Sequence, residues 1–314
     1  NVTFRYDGTA SNVSFQGATR FTPDLVWVKS RSGRNHRLAD SIRGGSKILQ
    51  PDISNAQITE NSITGFNTNG FTLGTSGNQN NDSELYVSWC WKGGGEPTAT
   101  NSQSSGAMTA NSVALNGSLQ SAYTPSGSPT VYPDKMSINT EAGFSIIQYT
   151  GNGSASQQSY PHGLSAAPKL VIQKMINTGS VGVNSWVIGG TLLGQGGYMF
   201  LDLDNQKQTA SSYNGNQIPD TNKVFFSGTS DKVGNENNNK FINYCFNDVT
   251  GYQSIGTYTG NNSSNGPVVE TGFEVAWLML KRVDDTSSWV ILDNKRDTTN
   301  PRTTRLFAET SGQD

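Results

Sequence analysis

Apolar residues along this chain come in short runs, and the runs have strand length. Leu25-Val26-Trp27-Val28, Leu170-Val171-Ile172, Met199-Phe200-Leu201 and Trp277-Leu278-Met279-Leu280 are each bounded by Gly, Pro, Asn or Ser within a few residues. That is the signature of strands punctuated by turns. Tyr86-Val87-Ser88-Trp89-Cys90-Trp91 mixes aromatic and β-branched residues, as a half-buried strand does. Asn69-Gly70, Asn116-Gly117, Asn152-Gly153, Gly44-Gly45 and Gly196-Gly197 supply dense turn signals. No segment sustains an apolar stripe at helical spacing for three turns, and Arg37 to Gln50 has room for a single helical turn at most. The pattern predicts an all-β protein of tandem antiparallel β-sandwich lobes, jelly-roll or concanavalin-like, with very little helix.

The runs recur. Tyr6-Asp7-Gly8 precedes Lys29 by 23 residues from the Tyr, Tyr149-Thr150-Gly151 precedes Lys174 by 25, and Tyr258-Thr259-Gly260 precedes Lys281 by 23. A core strand ends at each lysine. A second strand follows it: Leu38-Ala39-Asp40, Trp186-Val187-Ile188 and Trp289-Val290-Ile291-Leu292-Asp293. In the first and third repeats the Asp is followed three residues later by Arg, as Asp40/Arg43 and Asp293/Arg296; the second has Gly189-Gly190 there. The first repeat ends in Trp89-Cys90-Trp91 and the second in Tyr244-Cys245-Phe246. The third shows no such closing strand, and an edge left without one leads to the expectation that the natural chain continues past Asp314. Spacing predicts three regions: residues 1–92 as a first lobe, 93–140 as a Gly/Ser/Thr/Asn-rich linker arm, and 141–314 as second and third repeats sharing one sandwich, incomplete at the C-terminal end.

Composition narrows the function classes. The 314 residues include 35 Gly and 32 Asn, only 15% charged residues, and a net charge of −2. An ordinary soluble domain has about 25% charged residues, so the polarity here is Asn, Ser, Thr and Gln. No basic footprint for phosphates is present, which argues against nucleic-acid binding. No apolar run approaches the roughly 20 residues that a spanning helix needs, so no membrane insertion is expected.

Candidate chemistry is sparse. Cys90 and Cys245 occupy the same position in two repeats and read as buried structural thiols rather than a disulfide. His36 and His162 have no nucleophile–base–carboxylate pattern around them. Asp202-Leu203-Asp204 is the nearest approach to a glycosidase acid pair on one strand face, and it lacks a third acid. The Asp/Arg pairs read as partly buried turn-stabilising ion pairs. Lys29, Lys174 and Lys281 read as snorkelling strand ends. The six tryptophans read as core. No catalytic residue, metal ligand or cofactor site is assigned. The best contact surfaces are three Asn-rich loops, with Asn78, Asn80, Asn81 and Asp82 in the first, Asn237, Asn238 and Asn239 in the second, and Asn261, Asn262 and Asn265 in the third.

Phe21-x-Pro23-Asp24-Leu25-Val26-Trp27-Val28-Lys29, Asp40-Ser41-Ile42-Arg43-Gly44, Gly70-Phe71-x-Leu73-Gly74, Tyr86-Val87-x-Trp89-Cys90-Trp91-Lys92 and Gly143-Phe144-Ser145-Ile146-x-x-Tyr149-Thr150-Gly151-Asn152-Gly153 together resemble the tandem β-rich repeats of large virion proteins of marine bacteriophages. His162-Gly163-Leu164, Gly251-Tyr252 and Trp289-Val290-x-x-Asp293-Asn294-Lys295-Arg296 are similar to the same repeats. The resemblance covers nearly the whole chain outside the linker. It implies a non-enzymatic structural protein of a phage particle, in a tail fibre or other appendage, at the virion surface and extracellular. Its implied partners are other virion proteins, further copies of itself as a homotrimer, and host surface carbohydrate. Two alternatives stand beside it: a capsid-decorating fibre or cement protein, and a glycan depolymerase on a lectin-like sandwich.

Overall fold

A computed structural model describes residues 2–5, 11–14, 20–179, 185–210, 217–226 and 234–314; the Tyr6-Asp7-Gly8 motif lies outside them. The described chain is all-β, with several antiparallel sheets and one short 3-10 turn at Thr191–Leu193. Arg37 to Gln50, with room for one helical turn at most, holds a strand, a turn and a further strand.

The first repeat contributes β1 (Val2–Arg5), β2 (Ser11–Ser14), β3 (Leu25–Ser30), β4 (Arg37–Asp40), β5 (Lys47–Ile48), β6 (Ile58–Thr59), β7 (Ile63–Asn67), β8 (Gly70–Leu73) and β9 (Leu85–Trp91). The connector carries β10 (Val113–Leu115), β11 (Ser118–Leu119) and β12 (Lys135–Asn139). The second repeat holds β13 (Phe144–Thr150), β14 (Gln158–Pro161), β15 (Leu170–Met175), β16 (Val187–Gly189), β17 (Gly197–Phe200), β18 (Gln208–Thr209), β19 (Lys223–Phe226) and β20 (Lys240–Phe246). The third holds β21 (Trp277–Leu280), β22 (Val290–Asp293) and β23 (Leu306–Phe307).

Strand alternation builds two layers in each of the first two repeats. The inner sheet of the first runs β1-β9-β3-β4, and β2-β8-β7 covers its outer face. From β3, Leu25 and Trp27 point inward, while Val26 and Val28 pack outward with Ile63, Phe71 and Leu73. The second repeat lies in a nine-stranded sheet, β11-β10-β12-β13-β20-β15-β16-β17-β18, with β14-β19 as a separate pair. Its outer cluster joins Tyr149, Tyr160, Phe226 and Phe241 with Met108, Val113 and Met136 of the connector. The third repeat is the three-stranded sheet β21-β22-β23.

The packing redraws the expected domain boundaries. One inner core takes Leu25, Trp27 and Trp89 from the first repeat, Phe144, Ile188 and Tyr244 from the second, and Trp289, Ile291 and Leu306 from the third. The first repeat is therefore not a lobe apart from the other two. Nor is 93–140 an extended arm, because β10–β12 widen the second repeat's sheet. Gly94 marks how closely the connector passes that sheet. A Cβ there would sit 2.3 Å from the carbonyl oxygens of Ala114 and Ile138.

Candidate functional site

The polar groups that the sequence singles out converge where the three repeats meet. Strand register fixes which residues correspond. Val28 faces Arg37, Gln173 faces Val187, and Leu280 faces Val290. Lys29, Lys174 and Lys281 are thus equivalent, and so are the ring residues His36, Trp186 and Trp289 that precede the second strand. Leu38 bridges to Leu49, Ile188 pairs with Met199, and Ile291 pairs with Leu306. An acid stands three residues after each of those partners: Asp52, Asp202 and Glu309.

Within each repeat the acid holds the backbone of the ring residue. The Asp52 carboxylate accepts from the His36 N–H at 3.2 Å, Asp202 from the Trp186 N–H at 2.9 Å, and Glu309 from the Trp289 N–H at 3.1 Å. Between repeats the ring donates. Trp186 Nε1 donates to the Gln50 carbonyl at 2.9 Å, His36 Nε2 to that of Phe307 at 3.1 Å, and Trp289 Nε1 to that of Phe200 at 2.9 Å. Each acceptor lies two residues before the neighbouring repeat's acid. The lysines repeat the same links two residues after it: Lys174 Nζ to Ser54 O at 2.8 Å, Lys29 Nζ to Ser311 O at 3.1 Å and Lys281 Nζ to Asp204 O at 3.1 Å. In both sets the second repeat bonds to the first, the first to the third, and the third to the second. The links close a head-to-tail ring of three.

The Asp/Arg pairs belong to the same ring. Asp40 and Arg43 are joined at 2.6 Å and Asp293 and Arg296 at 2.7 Å, with all four side chains essentially buried. Burial is deeper than the partial burial expected. The closing strands reach across to them. Tyr244 donates its hydroxyl to Asp40 at 2.7 Å, and Trp89 Nε1 donates to Asp293 at 3.3 Å. Burial pushes the Asp293 carboxyl up, but Arg296 and the N–H donors around it more than offset this and hold it below the usual range. The second repeat's Gly190 occupies the corresponding position. Its φ is +119°, and a Cβ would lie 2.2 Å from the Lys169 carbonyl oxygen, so no Asp side chain fits there.

Electrostatics follow from this packing. Lys29 and Lys174 are fully enclosed, not snorkelling, because a neighbouring repeat covers each strand end. Burial lowers both amines to about 8. His36 is neutral by geometry. Its Nδ1 accepts from Trp27 Nε1 at 2.8 Å, which leaves the proton on Nε2 for the Phe307 and Thr310 carbonyls. Burial carries its pKa down to about 3. His162 has the same tautomer, accepting from Leu164 N–H and donating to Asp220 O. Burial lifts Asp52 to about 6 and raises Asp202 as well. Asp202 turns inward on Trp186 while Asp204 is exposed, so the two do not form an acid pair over a cleft. Cys90 and Cys245 are free and lie in different outer clusters.

The Asn-rich loops divide. Asn80 is buried and donates to Gly74 O at 2.7 Å, and Asn81 binds Glu84 and the Tyr86 hydroxyl. Asn78 donates to Glu60, and Asp82 is exposed. In the second loop Asn239 is buried against Asn177, Asn238 takes a left-handed turn with its N–H on Gly151 O, and Asn237 is exposed. Asn261, Asn262 and Asn265 are exposed, in a turn held by Asn261 and Ser263. The third loop is the one whose asparagines all face solvent.

The sequence reading missed Asp52, Glu309 and the carbonyl acceptors of the ring. A signal was present: Asp52-x-Ser54, Asp202-x-Asp204 and Glu309-x-Ser311 share one spacing. Among the described residues no cluster of three or more His, Cys, Asp or Glu could hold a metal ion, and no helix is long and apolar enough to cross a membrane. A shallow depression lies beside Arg31, Arg305, Phe307 and Asp314, and Asp314 is ion-paired to Arg31 and Arg296.

Fold and ring together define an all-β module in which three repeats interlock cyclically through buried polar contacts. The chain belongs to the family described as Domain of unknown function (DUF7483), whose model matches residues 2–314. No curated protein and no solved structure matches it.

Proposed function

We propose that this module is a non-catalytic structural part of a bacteriophage particle, carried in a tail fibre or similar surface appendage outside the cell. Its exposed polar loops touch host surface glycans and neighbouring virion proteins. The observation that carries this reading is the ring. The histidine and lysines that chemistry would need are bound to backbone carbonyls of neighbouring repeats, and the carboxylates and arginines to backbone and to one another within their own. Such groups hold a scaffold rigid, and a rigid β scaffold presenting loops is the usual basis of recognition. Phage and appendage identity come from the sequence resemblance.

A glycan array with the whole chain tests the proposal. Binding should be lost when Asn261, Asn262 and Asn265 are all replaced by Ala, with the fold intact by circular dichroism. An array without hits, or release of new reducing ends from host polysaccharide, overturns it. Light scattering tests the accompanying expectation of a trimer.

A further inference from the structure

The first two repeats each place a closing strand at one position, and the third has that position open. β3 lies between β4 and β9, and β15 lies between β16 and β20. Their equivalent β21 has β22 on one side and, among the described residues, no strand on the other. The outer face is open too. Val26 and Val171 are 0% and 4% exposed under their covering strands, whereas the equivalent Leu278 is 37% exposed. Trp277 packs edge-on against Trp91 at 5.6 Å, and its buried Nε1 finds no acceptor among the described residues.

A second observation points to the same gap. Tyr149, in β13, pairs with the closing strand β20 and not with β15, and it is fully buried. Tyr258 begins the same Tyr-Thr-Gly motif, yet it lies in no strand and is 55% exposed. Its strand partner would be the element that β21 also lacks.

We infer that the open edge of β21 is an acceptor for a polypeptide segment built like residues 58–92: a covering hairpin followed by an aromatic closing strand. The two filled positions specify its side chains. Leu25 faces Trp91 and Leu170 faces Phe246, so the residue opposite Trp277 is aromatic. Trp27 faces Trp89 and Ile172 faces Tyr244, so the residue opposite Met279 is aromatic as well. Lys29 faces Val87 and Lys174 faces Ile242, so the residue opposite Lys281 is β-branched. Following the cyclic order, the ring opposite Met279 reaches the second repeat at Gly190, where no carboxylate stands. That ring therefore needs no polar donor, unlike Trp89 and Tyr244. A second copy of the chain is a poor donor, since its β9 and β20 are already held in sheets. The mode is strand addition to a free edge.

The test uses the whole chain and a synthetic peptide of residues 58–92 carrying Cys90→Ser, with a peptide of shuffled closing strand as control. Hydrogen exchange should slow saturably across β21 and around Tyr258, by at least about tenfold. Leu278→Glu with Leu280→Glu, on the uncovered face, should abolish the effect while circular dichroism stays unchanged. Three results overturn the inference: equal protection by the shuffled peptide, protection at another sheet edge in place of β21, or concentration-dependent protection of β21 without peptide, which would identify a second copy as the occupant.

Discussion

Replacing Arg43 by Met keeps an unbranched apolar stem and deletes the guanidinium, and the ring makes the consequence calculable. The Asp40 carboxylate accepts from Arg43 Nε at 2.6 Å, from the Arg43 N–H at 2.9 Å and from the Tyr244 hydroxyl at 2.7 Å. The guanidinium also donates to Lys47 O at 2.9 Å and Gln57 Oε1 at 3.1 Å. Arg43→Met leaves a buried carboxylate with one N–H and one hydroxyl, a loss of about 3–5 kcal/mol. Tyr244→Phe removes one hydrogen bond to a charged group, about 1.5–3 kcal/mol. Asp40→Asn combined with Arg43→Met should recover part of the single-variant loss, because the uncompensated charge is gone. Urea unfolding followed by tryptophan fluorescence reads all three. With a slope near about 3 kcal/mol per molar, a loss of 4 kcal/mol moves the midpoint by about 1.3 M. A cost below about 1 kcal/mol for Arg43→Met, or a double variant no more stable than it, would refute the reasoning.

His36 takes its proton at about 3 in the folded chain, against an ordinary 6.5, so stability should fall as pH drops from about 6.5 toward 3. Asp52, lifted to about 6, opposes this below pH 6, so the comparison is with His36→Gln: its stability deficit at pH 7 should shrink as pH falls, and a constant deficit in urea titrations at each pH would count against a neutral His36. Lys29 and Lys174 ionise at about 8 when folded, against 10.5 ordinarily, so stability should rise from about pH 8 to 9. That window lies below the range where the buried thiols, held near about 12, reverse the trend. Lys174→Met should flatten the rise, and an unchanged slope would exclude Lys174 as its source. Gly190→Ala should cost at least about 2 kcal/mol, since it adds a left-handed φ to a backbone clash; a thermal midpoint equal to that of the parent would show that the Lys169 carbonyl can move aside.

Strand positions were legible in the sequence because alternation and turn residues act locally. β3, β15 and β21 fall on the three apolar runs that end in lysine. The Asp/Arg pairs were legible as pairs, since a three-residue spacing brings them together in a turn. What the lysines touch was not. The acceptors of Lys174 and Lys29 are backbone carbonyls 120 and 282 residues away, and a carbonyl has no residue identity to read. The connector misled for a related reason. Its Gly/Ser/Thr composition suggests a solvated arm, but β10 and β12 pair through backbone groups and need few apolar side chains to do so. Among the contact loops, composition could not separate Asn80, which caps a turn from within, from Asn261, which faces water.

The histidine in the first repeat shows why one ring position departs from the other two. Trp186 and Trp289 need only a donor toward the next repeat, which an indole supplies. The first repeat must also satisfy Trp27, whose indole N–H is buried beside the ring position. In the second and third repeats the residues equivalent to Trp27 are Ile172 and Met279, and neither carries a donor. An indole at position 36 would leave two donors and no acceptor between them. A neutral imidazole accepts on one nitrogen and donates on the other, so it closes the ring and satisfies Trp27 at once. Protonation removes the acceptor, and this makes the first repeat's link the one in the ring that depends on imidazole protonation.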